Sequence, residues 1–483
     1  MAGLYALPIL AVVAALASGR VGLQTAAGAG LALTVALAPL ARTGDGDFAG
    51  FLVEQAVNGA WLAWHAIAVI LAGLLFHNVA KRTAPDLFDP GGVRAQLNYR
   101  QLFAVCFLLG PFFEAATGFG VGLIIVIPFL LRMGLDGVTA VVFGLYSQIL
   151  VPWGAMAVGS TVGAGLAGLG TQEIGLYSAY LTAPLLLAYL AVFWWLAGRA
   201  GHAPGLAQRI DDVVWLAALA GAIVLVNRYV ALEAGALLSC GALLAVRHLR
   251  DQGLRAGSSD SMRAALPYAA LTLAVLLTRT IGPLETALKG LGNYAPTADV
   301  PPFEPFYHVS FLILLVACAN AAAARFSAME WATIARAIWT SGRAPVLATL
   351  IFVLMGQITA ASGMAAEIMR ALIGAVGAGA VLASPVIAAL MGLLTGSNVA
   401  ANAIAMPVQT SLAAQAGLPI TWVAGLQNVA GSNFTLISPI RIAMGAALVG
   451  EGGREGEIFR RAMPIAGAAL AVFLLAALAL LLA

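Results

Sequence analysis

The sequence predicts an all-α membrane protein that crosses the bilayer many times and contains two related halves. The 483-residue chain is 61% hydrophobic and 9% charged, with a mean hydropathy of +0.96, whereas soluble domains carry about 25% charged residues. Two of its long apolar runs are interrupted by the same dipeptide, Thr117-Gly118 and Thr395-Gly396. Interrupted segments paired between two halves are typical of a transporter's binding site.

Charge and cysteine content exclude several other classes of protein. The formal net charge of +3 is spread over many short loops. The sequence has no basic run of the kind that binds nucleic acid, so we expect no nucleic-acid partner. The cysteines Cys106, Cys240 and Cys318 all lie in apolar stretches without metal-ligand spacing, and we expect them to be small buried side chains. The sequence therefore predicts neither a metal site nor a bound cofactor.

The first half is predicted to contain six spans, each of about 20 residues or more. The first run ends in small residues like a secretory signal but lacks a basic start, so we interpret it as a membrane helix. A polar connector at 81–100 follows the third span, and the fourth and fifth are interrupted at Thr117-Gly118 and near Pro152–Gly154. The predicted spans are 3–19, 21–40, 50–79, 101–133, 137–170 and 174–198.

The second part begins after a polar, proline-containing link at 200–210. We expect 283–305, which is polar and rich in proline, to be a loop, and the amphipathic piece 326–342 to lie at the membrane interface. The run 419–450 is interrupted near Gly431–Asn433. The predicted spans are 211–228, 230–248, 264–282, 306–323, 346–375, 380–395, 398–415, 419–450 and 462–482.

Matched spacings predict an internal duplication. The Thr-Gly pairs lie about 280 residues apart, and Gln148 with Gln427 and Pro184 with Pro464 repeat that interval. We divide the chain into a first half, 1–200 (scaffold helices 1–49 and repeat 50–199), a linker with scaffold helices, 201–345, and a second repeat, 346–483. Such repeats are usually inverted across the membrane, but lysine and arginine are too scattered along the sequence to orient the chain.

The chemistry of the second interruption predicts an anion site. Gly396 permits a left-handed backbone, and Ser397 and Asn398 favour a helix N-terminus. A break in hydrocarbon survives only where it lines a polar cavity, and the free N–H groups of a helix start attract anions. Asn402 lies one turn further and faces the same side. The alternative is a kink whose polar groups are satisfied by neighbouring helices.

Three ionisable residues inside apolar runs are candidate functional groups. Arg441 is suited to bind a carboxylate with two hydrogen bonds. Alternatively, it forms a structural ion pair, or its side chain extends to the membrane interface. Glu114 is a candidate proton carrier because burial favours the neutral acid; its alternative is a permanently hydrogen-bonded carboxylate. His65 is a second candidate, since histidine titrates near neutral pH, or else it is a packing residue.

Polar side chains near the other interruptions complete the candidate site. Gln148 precedes the second break of the first half, and Gln427 and Asn428 precede that of the second half, where Ser432 and Asn433 stand. Each is either a substrate ligand or a helix-packing residue. The Ser-Asn pairs resemble the Ser-Asn-Thr tips of sodium-coupled dicarboxylate carriers, although both pairs here fall in the second half.

Three motifs together resemble the L-lactate permease family. Glu114–Gly120 (E-A-A-T-G-F-G) is close to its E-G-A-A-G-F-G signature, Thr395–Asn402 (T-G-S-N-V-A-A-N) is close to T-G-S-D-x-x-x-N, and Ile437–Pro439 matches its I-S-P element. The resemblance adds Gly120 and Ser438 to the candidate site residues. It covers nearly the whole chain.

The resemblance implies a fold and a function. The family consists of secondary transporters that move short 2-hydroxymonocarboxylates such as lactate and glycolate together with protons, and it belongs to the ion-transporter superfamily. It also implies inverted repeats with re-entrant hairpins and an elevator-like motion of a binding domain against a scaffold. It further implies a location in the inner membrane and a homodimer in the lipid bilayer.

The chain departs from the family at positions that bear on the substrate. Asn398 replaces an aspartate, Thr435 stands near a usual lysine, and Arg441 follows Ile440 where uncharged residues are usual. These differences leave open a carrier of another organic anion, such as a dicarboxylate or sulfonate, perhaps coupled to sodium. An intramembrane enzyme is disfavoured, since the sequence has no H-E-x-x-H or G-x-S-x-G motif and so predicts no catalytic residue.

Overall fold

The computed structural model describes residues 2–18, 20–42, 47–85, 98–118, 120–252 and 259–482, with side chains from 252 to 264 outside that description. Regular structure in these ranges is helical, apart from a single bridge between Tyr294 and Phe303. Most of the predicted connector 81–100 and Phe119 of the first motif lie outside the described residues.

The helices of the first half follow the predicted spans closely. A π-helical turn, Val105–Leu109, joins α4 to α5, and two 3-10 turns, Leu145–Gln148 and Val151–Trp153, lie between α7 and α8. The helices are α1 (Ala2–Ala17), α2 (Leu23–Ala41), α3 (Phe48–Thr83), α4 (Tyr99–Ala104), α5 (Gly110–Thr117), α6 (Val121–Arg132), α7 (Gly137–Gly144), α8 (Gly154–Ala167) and α9 (Thr171–Arg199).

The remaining helices include two further 3-10 segments. Gly377–Ala383 precedes α17, and Thr435–Ile437 lies between α19 and α20. The helices are α10 (Leu206–Tyr229), α11 (Gly235–Gln252), α12 (Ser259–Thr280), α13 (Gly282–Gly290), α14 (Val309–Ala323), α15 (Ala328–Ala361), α16 (Met364–Val376), α17 (Ser384–Thr395), α18 (Asn398–Ala416), α19 (Ile420–Phe434), α20 (Pro439–Leu448) and α21 (Glu455–Leu482).

Several helices are long and apolar enough to cross a bilayer. Among the described residues there are seven by length and composition, or nine if each of two sharply bent helix pairs counts as one span. One bent pair joins 137–148 to 151–167 at an angle of 59°, at the predicted interruption near Pro152–Gly154. The chain is therefore a multi-pass membrane protein.

Three predicted elements differ from the structure. The amphipathic piece 326–342 and the span from 346 are one continuous helix, α15, which begins at a capping box between Ser327 and Glu330 and accommodates Pro345 without ending. Part of the predicted loop 283–305 forms α13, which Pro283 starts. The interruption predicted at Gly431–Asn433 comes a few residues later, at Thr435–Ile437, because glycine and serine are tolerated inside α19.

A long antiparallel pair forms one side of the molecule. Near one end of α3, Gln357 of α15 donates a hydrogen bond to Gln55 (3.0 Å), and near the other end Arg82 pairs with Glu330 at 3.6 Å. Close contact in between depends on Gly59 and Gly342, against which leucine side chains of the partner helix pack. This pair borders α8 and α18, which carry part of the candidate site.

Candidate functional site

The predicted break in the first half is present between α5 and α6. Gly118 and Gly120 both have positive φ, +69° and +82°, and a Cβ on Gly118 would lie 2.4 Å from that of Ala155. Both oxygens of Glu114 accept backbone hydrogen bonds at the start of α6, from Gly120 N (3.1 Å) and Gly122 N (3.2 Å). The glutamate therefore satisfies a helix N-terminus that would otherwise be unpaired in an apolar environment.

The break in the second half has the predicted capping chemistry. Gly396 ends α17 with φ +62°, and the Ser397 Oγ accepts a hydrogen bond from Ala400 N at 3.3 Å as the N-cap of α18. The hydroxyls of Thr117 and Thr395 both donate to the carbonyl four residues earlier, on Phe113 and Met391. The two breaks thus share a local hydrogen-bond pattern, in which the threonines stabilise the helix ends.

The start of α8 is strained. Ala155, Met156 and Ala157 have φ values of 48°, 53° and 61°, a left-handed backbone that costs roughly 1–2 kcal/mol per residue without a glycine. These residues are buried, and Ala155 faces Gly118 of the first break. Strain of this kind clusters at functional sites, where the surrounding structure maintains it.

Asn428 is the centre of a buried polar cluster that joins four helices. Its Oδ1 accepts hydrogen bonds from Nδ2 of Asn398 (3.1 Å) and Asn402 (2.8 Å), and its Nδ2 donates to Oγ of Ser160 (2.8 Å) and Ser178 (2.9 Å). The cluster therefore connects α18 and α19 of the second half with α8 and α9 of the first. All five side chains are buried.

Glycines on α8 give the asparagines room. A Cβ on Gly159 would lie 2.6 Å from Asn398 Nδ2, and one on Gly163 would lie 2.9 Å from Asn402 Nδ2. Asn402 Nδ2 also donates to the carbonyl of Gly159 at 3.0 Å. Glycines four residues apart thus face asparagines four residues apart, so that the two helices approach closely.

Arg441 and Glu114 form a buried ion pair between the two halves. Arg441 Nη2 lies 3.4 Å from Glu114 Oε1, and the two side chains are 9% and 3% exposed. The guanidinium also abuts Gly120, where a Cβ would lie 2.2 Å from Nη1. Arg441 stands in the first turn of α20, whose N-cap Ser438 lies against Gly396. The ion pair and Ser438 therefore link the Glu114–Gly120 break to the Gly396 break.

Other predicted residues are buried but point elsewhere. Asn433 accepts a hydrogen bond from Tyr189 OH (3.0 Å), and Ser432 donates to Val429 O within its own helix. Gln148 donates to Ser147 Oγ (2.9 Å) and Gln427 donates to Ala401 O (3.3 Å). The amide oxygens of both glutamines, like those of Asn398 and Asn402, have no hydrogen-bond partner among the residues that the structure describes.

His65 lies apart from the breaks, at a cavity of about 630 Å³. Its two ring nitrogens are 3.0 Å from Trp61 O and 3.3 Å from Pro302 O, and its ring packs against His308. The cavity is bounded by α3, α8 and the segment before α14, and it reaches Met156 and Thr161. It thus lies on one side of α8, which contacts the asparagine cluster through Gly159 and Ser160.

The sequence analysis missed Ser160, Ser178 and the strained Ala155–Ala157 segment. The regular spacing of Gly159 and Gly163 was a signal for close helix packing, and it could have identified α8 as a partner of the Asn398 helix. The strain has no sequence signal, because alanine and methionine favour ordinary helix. Of the cysteines, Cys106 and Cys240 are buried and Cys318 is exposed, contrary to expectation.

Residues 269–483 match the family model described as L-lactate permease, a range that includes the Gly396 break and Arg441 but not the Glu114–Gly120 motif. No curated protein matches the chain significantly. Similar solved structures include MtrF of Neisseria gonorrhoeae, described within a class of antimetabolite efflux pumps, and the YdaH transporter of Alcanivorax borkumensis.

These structural likenesses are distant. MtrF is 15% identical with a TM-score of 0.40, and the alignment covers 88% of this chain and 82% of that one. YdaH is 17% identical with a TM-score of 0.43, covering 89% and 86%. Likeness at this level says nothing about substrate or mechanism. Over residues 269–483 the family match confirms the resemblance expected from the motifs and supports a transport protein; it does not extend to the first half, where the resemblance was also expected.

Proposed function

We propose that the protein is a secondary active transporter that carries short 2-hydroxymonocarboxylates, such as lactate and glycolate, together with protons across the inner membrane. The observation that carries this proposal is the buried ion pair between Arg441 and Glu114 at 3.4 Å. Next to both helix breaks, a guanidinium is a group suited to bind a carboxylate, and the carboxyl beside it is a group that we propose takes up the proton.

The pair supports a simple exchange of partners. When Glu114 takes up a proton it no longer neutralises Arg441, and the carboxylate of the substrate takes its place. The loaded site then has the same net charge as the empty one. Because an unpaired charge inside the membrane is costly, binding of the anion and of the proton favour each other, with one proton for each monocarboxylate.

The surrounding groups fit a hydroxy acid. The N-terminus of α18 at Ser397 and Asn398 offers backbone N–H groups to a carboxylate. A 2-hydroxyl group is a hydrogen-bond donor beside that carboxylate, and the unpartnered amide oxygen of Asn398, at the same helix start, is an acceptor. The Asn428 cluster is largely satisfied internally, so we assign it the role of positioning Asn398.

We further propose that the interrupted helices, α5–α8 and α17–α20, move as a binding domain against a scaffold that contains α3 and α15. The cavity at His65 supports an access route, since it reaches Met156 on α8 from outside the asparagine cluster. His65 is the second candidate proton carrier on this route. A homodimer through the scaffold remains part of the proposal.

Uptake into proteoliposomes tests the proton-coupled reaction. The purified protein is reconstituted, and labelled lactate and glycolate are followed in counterflow and under an inward proton gradient. Glu114→Gln imitates the protonated state, so we expect it to retain counterflow and to lose accumulation driven by the gradient. Glu367→Gln, which breaks the exposed pair with Arg370, should behave like the wild type. Absence of saturable uptake for every short hydroxy acid would refute the substrate class.

A second candidate is a carrier of another organic anion coupled to sodium. It is favoured by the unpartnered amide oxygens of Asn398 and Asn402, because oxygen atoms of this kind are ligands for hard cations, and by the asparagine at 398 where the family has aspartate. Thermal unfolding with dicarboxylates and sulfonates, in sodium or in choline buffer, separates the two. Stabilisation by a dianion in sodium alone would favour this candidate.

A further inference from the structure

A groove away from the helix breaks is lined by arginines and apolar side chains. It lies where the end of α9 meets the starts of α7 and α21, and its volume is about 450 Å³. The residues that line it are Thr139, Val142, Phe143, Trp195, Leu196, Arg199, Ala200, Glu457, Arg460, Arg461 and Pro464.

The positive charge in this groove is only partly neutralised. Arg461 pairs with Glu457 at 2.6 Å and lies 3.3 Å from Thr139 Oγ1, and Glu457 also pairs with Arg454. Arg460 and Arg199 form no ion pair with any residue that the structure describes, and the Arg199 guanidinium lies over the Trp195 ring at 4.9 Å. Two guanidinium groups are therefore free to bind an anion with paired hydrogen bonds.

The walls of the groove lead towards the lipid-facing surface. Trp195 is 47% exposed, and Leu187, two turns earlier on the same face of α9, is 51% exposed. Exposed tryptophan is typical of the boundary between headgroups and hydrocarbon. A ligand with an anionic head and an apolar tail would contact arginines at the helix end and leucine nearer the middle of the span.

Arginines are concentrated at this end of the bundle. Contacts join the helix ends here: Arg250 pairs with Asp211 at 2.7 Å, and Arg209 lies over the Trp194 ring at 5.4 Å. At the opposite ends of α9–α13 the described cations are Arg228, Arg279 and Lys289. On the same helices the described arginines of the arginine-rich end are Arg199, Arg209, Arg247 and Arg250, and the ends of α4, α6 and α21 add Arg100, Arg132, Arg454, Arg460 and Arg461. The positive-inside rule assigns this end to the cytoplasm.

From these observations we propose that the groove binds the headgroup of an anionic phospholipid from the cytoplasmic leaflet. Arg199 and Arg460 bind the phosphate, Trp195 lies at the level of the headgroup, and the acyl chains follow the exposed face of α9. Basic pockets between transmembrane helices are a recognised form of lipid recognition. The site is separate from the Arg441–Glu114 pair, and the inference does not depend on the transported substrate.

Native mass spectrometry of the delipidated protein in detergent tests this site, with phosphatidylglycerol, phosphatidylcholine and inorganic phosphate as probes. We expect retention of phosphatidylglycerol in preference to phosphatidylcholine, and about tenfold weaker retention in Arg199→Gln/Arg460→Gln, which lacks two charge-assisted hydrogen-bonding groups. Arg209→Gln is the matched control, since it removes an arginine from the same end but outside the groove.

Each contrary outcome is decisive. Equal retention of phosphatidylcholine, or undiminished retention of phosphatidylglycerol by the double variant, would overturn the proposal. Thermal stabilisation by inorganic phosphate equal to that by phosphatidylglycerol would show a site for free anions instead. Because the substituted arginines are exposed, the variants are expected to fold, and Arg199→Lys/Arg460→Lys, which keeps the charge, should recover part of the retention.

Discussion

The carbonyl oxygen of Gly431 on α19 lies so close to Gly392 on α17 that a Cβ built on Gly392 would stand 1.9 Å from it. The two backbones are in direct contact beside the Gly396 break. Because this oxygen belongs to a buried helix, it cannot move aside as a flexible side chain would. The approach of these helices, and with it the position of the second break, therefore depends on a glycine at 392.

Replacing Gly392 by alanine is expected to destabilise the protein. Overpacking a close contact costs about 1–3 kcal/mol, which should lower the thermal unfolding temperature in detergent. Gly374→Ala on α16 is the matched control: a Cβ there meets nothing within 4 Å, and alanine is about 1 kcal/mol better than glycine in a helix. Equal stability of the two variants would contradict the close approach.

Gly118→Ala tests the packing at the first break. Gly118 and Gly134 both have positive φ, +69° and +91°, but a Cβ meets Ala155 at 2.4 Å only at Gly118 and meets nothing within 4 Å at Gly134. Both alanine variants should lose about 1–3 kcal/mol, because a positive φ is unfavourable for any residue with a Cβ. Gly118→Ala should lose more and should also lose counterflow of lactate. Similar unfolding temperatures with full transport in both would contradict this role.

Local chemistry made the breaks predictable from the sequence. Glycine, serine and asparagine within an apolar run have backbone preferences that act over a few residues, so the ends of α5 and α17 and the start of α18 were expected correctly. The same reasoning misplaced the third interruption, because Gly431–Asn433 has the right residue types but its side chains are satisfied within α19.

Relationships over long distances in sequence were not predictable. Glu114 and Arg441 are 327 residues apart, and although each was a candidate, nothing in the sequence indicated that they pair. The continuity of α15 was missed because the amphipathic stretch 326–342 indicated an interfacial piece separate from the span that follows, whereas packing along α3 holds the helix together. Tertiary contacts, and not local preferences, decide such features.

Asn428→Ala should disrupt both stability and transport. The substitution removes four hydrogen bonds to side chains on α8, α9 and α18 and leaves buried polar groups unpaired, at about 1–3 kcal/mol for each group that finds no new partner. Asn320→Ala, which removes a single hydrogen bond to Thr83, should cost about 1 kcal/mol. Unfolding temperature and the half-saturation of lactate counterflow measure the two effects, and an Asn428 variant no worse than the control would contradict the central role of this residue.

A double-mutant cycle tests the ion pair between the halves. Arg441→Gln leaves the Glu114 carboxylate buried without its cation, which is expected to cost about 3–5 kcal/mol. Glu114→Gln/Arg441→Gln removes both charges, so its loss of stability should be smaller than the sum of the single losses. The measurement is thermal unfolding of the four proteins in one detergent. Additive losses would show that the two groups do not interact.

Because the start of α8 is strained, replacing alanine by glycine should have opposite effects on stability at two positions of this helix. Ala157 has φ +61°, so Ala157→Gly should relieve about 1–2 kcal/mol of strain, which exceeds the loss of one buried methyl group at about 0.8 kcal/mol. Ala164, equally buried but in regular helix, should lose stability as glycine, by about 1 kcal/mol from the backbone plus the methyl group. If the strain positions Gly159 and Ser160 against the asparagine cluster, Ala157→Gly is expected to be at least as stable as the wild type yet slower in lactate counterflow. A loss of stability in Ala157→Gly as large as that in Ala164→Gly would mean that the backbone at 157 is not strained.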